Sequence, residues 1–75
     1  MKRIILELFN ALLLDENGIS DLQYSRLRQL MFQAERDGLF TEKDLKHMFS
    51  RVKVIDDDAH LRRYQLDSMV EVRLN

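Results

Sequence analysis

The sequence contains no cysteine, no proline and no tryptophan, and only two of its 75 residues are glycine. Without cysteine there is no disulfide and no thiolate zinc site, so the chain depends on its core or on a partner for stability. The near-absence of proline and glycine leaves long stretches able to form helices. We therefore expect residues 1–75 to form a single small, mainly helical domain.

A strong excess of either charge and a long apolar run are also missing. Twelve basic and 13 acidic residues leave a net charge of −1, whereas domains that bind nucleic acid are usually basic. No segment approaches the ~20 apolar residues of a membrane span, and no signal-peptide cleavage site follows the apolar start. The sequence therefore predicts a cytoplasmic protein that makes no membrane contact.

No residue pattern typical of catalysis or cofactor binding is present. The serines lack the glycine-rich elbow of a hydrolase nucleophile, and the two histidines lack zinc-ligand spacing. We predict a protein that is not an enzyme, with no catalytic residue, metal, cofactor or small-molecule substrate.

Apolar residues at helical spacing predict two helices in the first half of the chain. Helix 1 spans Lys2 to Leu14 and is apolar around much of its circumference, so we expect it to be the central core helix. Helix 2 spans Asp21 to Asp37, with Ser20 as its N-cap. The residues expected to face the core are Ile5, Leu8, Phe9 and Leu12 in helix 1, and Leu27, Leu30, Met31 and Ala34 in helix 2.

A third helix is predicted to begin after Thr41. The sequence Thr41-Glu42-Lys43-Asp44 resembles a capping box in which aspartate replaces the usual glutamate or glutamine. Apolar residues then recur at i, i+3, i+4 and i+7, namely Leu45, Met48, Phe49 and Val52.

The last third of the chain allows two interpretations. The first is a fourth helix capped by Asp57 or Asp58, with Leu61, Tyr64, Met69 and Val72 facing inward. The second is a β-hairpin with strands at residues 52–55 and 61–66 and a turn from Asp56 to His60, and residues 70–74 also alternate like a strand. We expect the fourth helix and keep the hairpin as the alternative, which would give an α+β, winged-helix-like domain.

Residues between helices 2 and 3 resemble the helix-turn-helix signature over about twenty residues. Ala34, Gly38 and Leu39 match its small residue, turn glycine and following apolar residue. Gln33 and Asp37 depart from it, because they occupy positions that the family keeps apolar, and helix 2 is about twice the usual length.

The resemblance implies a DNA-binding surface on helix 3. In such modules the second helix enters the major groove, and its outer residues contact bases and phosphates. Here those residues would be Lys43, Lys46, His47, Ser50 and Arg51. With a hairpin the whole would resemble a winged helix, but the wing tip would be Asp56-Asp57-Asp58, which phosphate repels.

The polar side of helix 2 favours a protein partner instead. Phe32 falls outside the core stripe of that helix, and aromatic and arginine side chains dominate interface hot spots. The predicted protein-binding residues are Arg28, Gln29, Phe32 and Arg36. We therefore expect a small regulatory protein that binds a protein partner or itself, with nucleic-acid binding as the second interpretation.

Overall fold

The computed structural model describes residues 1–58 and 61–74, and in them the chain forms three helices and three short strands. In order they are α1 (Lys2–Leu13), β1 (Ile19–Ser20), α2 (Asp21–Arg36), α3 (Glu42–Ser50), β2 (Val52–Asp56) and β3 (Arg63–Leu66). The strands form one antiparallel sheet in the order β1-β3-β2. Within the described ranges, no helix has both the length and the apolarity to cross a membrane.

The expected fourth helix is wrong, and the hairpin takes its place. Val52 pairs with Leu66 and Val54 with Tyr64, so β2 and β3 lie side by side. Leu61 and Met69, which a fourth helix would turn inward, are exposed. The strand pairing prevails because it buries Leu66 and uses the β-branched run of β2. Residues 59 and 60 of the predicted turn lie outside the described part of the chain, and residues 67–74 form neither helix nor strand.

The joint between α2 and α3 forms where the sequence predicts it. Gly38 adopts a φ of +79°, and the amides of Gly38 and Leu39 donate to the carbonyls of Glu35 and Ala34, at 3.0 and 2.9 Å. This is the hydrogen-bond pattern of a Schellman motif. Thr41 then starts α3 with a complete capping box, in which Asp44 fills the reciprocal position. With the hairpin after them, the helices form a small α+β domain, as the alternative prediction has it.

The core lies between the three helices and the inner side of the sheet. Its four completely buried large side chains are Phe9, Leu13, Met31 and Met48. Helices α2 and α3 bury the stripes that the sequence predicts, except that Leu30 is 40% exposed and Phe49 and Val52 are half-buried.

The inward face predicted for α1 is largely wrong. Phe9 is buried as predicted, but Leu8 and Leu12 are exposed and Ile5 is only half-buried. The residues that α1 buries are Leu6, Phe9, Asn10 and Leu13. Because the helix is apolar on nearly every side, its periodicity does not define one inward direction, and α1 is a core helix on one face only.

The segment after β3 returns to α1, where hydrogen bonds with the Asn10 side chain hold it. The Asn10 Nδ2 donates to the Val70 carbonyl at 3.0 Å, and the Val70 amide donates to Asn10 Oδ1 at 2.7 Å. Both residues are buried. A polar side chain therefore faces the core because the backbone of the last segment needs a donor and an acceptor there.

Candidate functional site

The four residues predicted to bind a protein partner lie together on the solvent side of α2. Arg28, Phe32 and Arg36 are spaced four residues apart along one helical stripe, and Gln29 lies next to them. All four are exposed. We call these residues, Arg28, Gln29, Phe32 and Arg36, the α2 outer face.

Phe32 is the outermost ring of an aromatic cluster. Its centroid lies 6.1 Å from that of Phe49, which in turn meets Phe9 edge-on at 5.7 Å. Tyr24 also meets Phe49 edge-on, at 6.2 Å. Phe32 is thus held from within by Phe49 while 38% of its surface remains exposed, so its ring is partly pre-ordered for a partner.

Arginine side chains give this aromatic surface a positive character. The Arg28 guanidinium carbon lies 5.7 Å from the Phe32 centroid and 6.0 Å from that of Tyr24, within the range of a cation–π contact. Arg36 donates to Gln33 Oε1 at 2.7 Å, and Gln33 donates in turn to Asp37. The charge of Arg36 is therefore tied into the surface of α2, whereas that of Arg28 lies over the rings.

A groove between α2 and α3 continues from the ring of Phe32. Its volume is about 640 Å³. Its floor is apolar and its rim carries two carboxylates and one ammonium group. The lining residues are Phe32, Glu35, Glu42, Leu45, Lys46, Phe49 and Ser50.

The residues predicted to contact DNA share the outer side of α3 and its C-terminal end. Lys43, Lys46, His47, Ser50 and Arg51 are all exposed. Of the two carboxylates of α3, Asp44 accepts a hydrogen bond from the Thr41 amide and pairs with Lys2, whereas Glu42 lines the same groove as Lys46 and Ser50. The outer side of α3 therefore presents mainly basic and polar groups, with the Glu42 carboxylate at its edge.

Two of the nearby basic groups are already engaged within the chain. Arg51 Nη2 donates to Ser68 Oγ at 3.1 Å, and the Lys53 ammonium pairs with Asp67. Lys43 and Lys46 have no hydrogen bond or ion pair among the described residues. They are the bases on α3 that remain available to phosphate.

The β2–β3 connection is acidic, as the sequence predicts for a wing tip. Asp56, Asp57 and Asp58 are exposed, and Arg62 pairs with Asp57 at 2.9 Å. From Thr41 to Leu66, which spans α3 and the hairpin, the chain carries six basic and five acidic side chains. The half of the molecule that would face DNA is therefore close to neutral despite the basic side of α3.

Contacts between the sheet and the start of α2 were not foreseen in the sequence. Tyr64 stacks on Tyr24 with centroids 4.0 Å apart, and its hydroxyl donates to Asp21 Oδ1 at 2.8 Å. Burial raises the pKa of the Tyr24 phenol above its ordinary value, although the nearby Arg28 opposes the shift. The β-branched and aromatic residues of β2 and β3 indicated strands, but not which residues the strands would contact. The contact between Tyr64 and Tyr24 depends on how β3 pairs with a distant part of the chain, which neighbouring residues do not determine.

A second surface lies where the sequence predicted core. Ile4, Leu8 and Leu12 form an apolar stripe along the outside of α1 and are 63%, 42% and 38% exposed. Leu8 and Leu12 share a groove with Leu30 of α2. The signal for this surface was the all-round apolarity of α1, which has more apolar residues than one inward face can bury.

Comparisons with known proteins give no match to a protein family, to a curated protein or to a solved structure.

Proposed function

We propose that this protein is a small, non-enzymatic regulatory module that acts through protein–protein contacts. The α2 outer face binds the partner, and the observation that carries the proposal is the exposed, supported ring of Phe32 beneath the Arg28 guanidinium. An anchoring ring with an adjacent arginine is the arrangement that concentrates binding energy at protein interfaces.

The chemistry of this face indicates the class of partner. Arg28 and Arg36 favour carboxylates, whereas Phe32 and the groove beside it accept an apolar side chain. Glu35 and Asp37 lie near Arg36 and reduce its attraction for acids, so Arg28 carries most of the electrostatic contribution. The partner we infer is an acidic segment with one aromatic or aliphatic anchor.

Selection of displayed random peptides against the immobilised protein tests this proposal. We expect enriched peptides to place Asp or Glu beside an apolar anchor. Their affinity should fall about tenfold for Phe32→Ser or Arg28→Glu, the range of an interface hot spot. Leu22→Ser is the matched control, because Leu22 is also exposed on α2 but lies more than two turns from Phe32.

The peptide experiment has a clear contrary result. Selected peptides that bind wild type and the folded Phe32→Ser variant equally well would remove the α2 outer face from the proposal. Circular dichroism of each variant checks that a lost affinity does not come from lost structure.

DNA binding through α3 is the second candidate, favoured by the winged-helix-like arrangement and the mainly basic and polar outer side of that helix. It ranks second because only Lys43 and Lys46 are unengaged bases there, and the wing is acidic. Affinity for duplex DNA varies with salt in proportion to the phosphates neutralised, and dedicated binders make about 6–10 such contacts.

Fluorescence anisotropy of a labelled duplex, at low and at moderate salt, tests the second candidate. If α3 reads DNA, binding should be salt-sensitive, and Lys46→Glu or Arg51→Glu should weaken it while Arg26→Glu on α2 leaves it unchanged. The effect of Arg51→Glu should be the smaller, because Ser68 already holds that guanidinium. A duplex that is not bound at low salt would exclude this candidate.

A further inference from the structure

The outside of α1 has an apolar surface that the α2 outer face does not use. Ile4, Leu8 and Leu12 follow one another at intervals of four residues, and Leu30 of α2 adjoins them across a shallow groove. We call Ile4, Leu8, Leu12 and Leu30 the α1 stripe. From Ile4 to Leu12 the stripe runs about 12 Å along the helix.

Such a stripe is unusual on the solvent side of a helix. A surface helix normally carries charged or polar residues opposite its buried face. Here the exposed fractions of Ile4, Leu8 and Leu12 are 63%, 42% and 38%. A continuous exposed apolar strip in a chain this small is typical of a surface that another molecule covers.

Charges at the two ends of α1 are arranged against its own dipole. The first turn contains no acidic residue and the last turn no basic one. Instead Lys2 and Arg3 lie at the N-terminal end, and Asp15 and Glu16 follow the C-terminal end. A positive N-terminus and a negative C-terminus are unfavourable in an isolated helix, but they complement a second helix that runs the opposite way.

We propose that the α1 stripe binds the α1 stripe of a second copy of this chain, with the two helices antiparallel and Leu8 at the two-fold axis. This inference shares with the proposed function only the premise that the protein acts through protein–protein contacts. In this pairing Ile4 lies opposite Leu12 of the second copy, and Leu8 meets Leu8.

The same pairing brings opposite charges together at both ends of the interface. The N-terminal end of α1 in one copy, with Lys2 and Arg3, lies beside the C-terminal end in the other, with Asp15 and Glu16, and the two-fold axis repeats this proximity. Arg3 lies on the flank of α1 toward Val70, so its long side chain must reach around the end of the helix to approach Glu16. Arg3 and Glu16 are exposed, and neither side chain has a hydrogen bond or ion pair among the described residues. Lys2 contributes less, because it lies 3.7 Å from Asp44 and over the Phe40 ring.

A dimer of standard size requires that the α1 side of each copy bury a moderate share of the chain's surface. A stable interface takes about 800 Å² from each partner, roughly one-seventh of the 5361 Å² that this chain exposes. The exposed side of α1 is twelve residues long and supplies the centre, while Leu30 and Arg26 at the edge of the groove extend it onto α2. Self-pairing of one patch is also the commonest symmetry among homodimers.

Cysteine crosslinking tests the orientation directly, because the chain has no cysteine of its own. A disulfide requires Cα atoms within about 7 Å. We expect Leu8→Cys to crosslink to itself on mild oxidation, and Ile4→Cys to crosslink only when mixed with Leu12→Cys. Self-crosslinking of Ile4→Cys would overturn the antiparallel pairing, and so would efficient crosslinking of the control Leu61→Cys on the hairpin.

Sedimentation of the unmodified chain tests whether the dimer exists. We expect a concentration-dependent dimer whose dissociation constant rises about a hundredfold in Leu8→Glu, since two carboxylates then meet at the axis, but not in Leu61→Glu. Arg3→Glu should weaken the dimer about five- to tenfold, and adding Glu16→Arg should restore it.

The result that overturns this inference is a monomer at every accessible concentration, or a dimer that Leu8→Glu leaves intact. Because the peptide experiment alters Phe32 and Arg28, the outcomes are separable. A monomer that still binds acidic peptides would exclude only the proposed α1 dimer. A dimer that selects no peptide would exclude only the proposed partner of the α2 outer face.

Discussion

The two glycines of the chain both adopt left-handed backbone conformations, but their surroundings differ. Gly18 has a φ of +64° and lies against the carbonyl oxygen of Tyr64, which a Cβ at this position would overlap. Gly38 has a φ of +79°, with open space where a Cβ would be. Glycine is therefore favoured at position 18 for two reasons, the left-handed backbone conformation and the close approach of β3. At position 38 only the backbone conformation favours it.

We therefore expect Gly18→Ala to be more destabilising than Gly38→Ala. The second substitution costs only backbone strain, about 1–2 kcal/mol. The first adds a displacement of β3, so its cost should reach about 3 kcal/mol or more. Thermal unfolding of both variants checks this difference, and equal losses would show that β3 does not approach Gly18 closely.

Ionisation of the Tyr24 phenol makes the stability of the fold depend on pH. Burial favours its neutral phenol, so its pKa in the folded state lies above the ordinary value near 10. The neutral phenol therefore stabilises the fold fully below pH ~10, and this contribution is lost as pH rises through the higher folded pKa.

We expect the phenolate absorbance of wild type to include a step with a midpoint above pH ~10 that is missing in Tyr24→Phe. The variant keeps the ring contacts with Phe49 and Tyr64, so the comparison isolates the hydroxyl group. A difference titration centred at or below the ordinary value would contradict the burial of this phenol.

At the scale of elements, local signals predicted the helix ends well. Ser20 and Thr41 cap their helices through reciprocal side-chain bonds, and Gly38 ends α2, because each of these motifs lies within a few residues of sequence. The α2 outer face followed from the same periodicity. These features needed no knowledge of the rest of the chain.

Features that depend on residues distant in the sequence were either not predicted or predicted wrongly. β1 has two residues and exists only because β3 lies beside it, and the inward face of α1 was misplaced because apolar residues surround that helix. Asn10 interrupted the apolar run, yet its partner lies 60 residues away at Val70. No local pattern contains that pairing.

The last segment depends on Asn10 in a way that can be measured. We expect Asn10→Leu to lower the free energy of unfolding by about 2–4 kcal/mol, because the buried Val70 amide and carbonyl lose their partners. Asn17→Ala is the control, since the described hydrogen bonds of Asn17 use only its backbone. An Asn10→Leu variant that resists denaturant like wild type would show that the segment is not fastened there.

Across the whole molecule, each helix presents a different surface. The α1 stripe is apolar, the α2 outer face combines the ring of Phe32 with Arg28 and Arg36, and the outer side of α3 carries the ammonium groups of Lys43 and Lys46. The acidic connection between β2 and β3 offsets those bases. In this α+β domain, that distribution supports the proposal of protein contacts over that of phosphate binding.

Light scattering at two protein concentrations, with and without mixed-sequence duplex DNA at low and moderate salt, tests this ranking most directly. We expect the mass to rise toward that of a dimer with concentration and to be unaffected by DNA. A protein that stays monomeric at both concentrations and forms a salt-sensitive complex with DNA would contradict the proposal of protein–protein contacts and make α3 the functional surface.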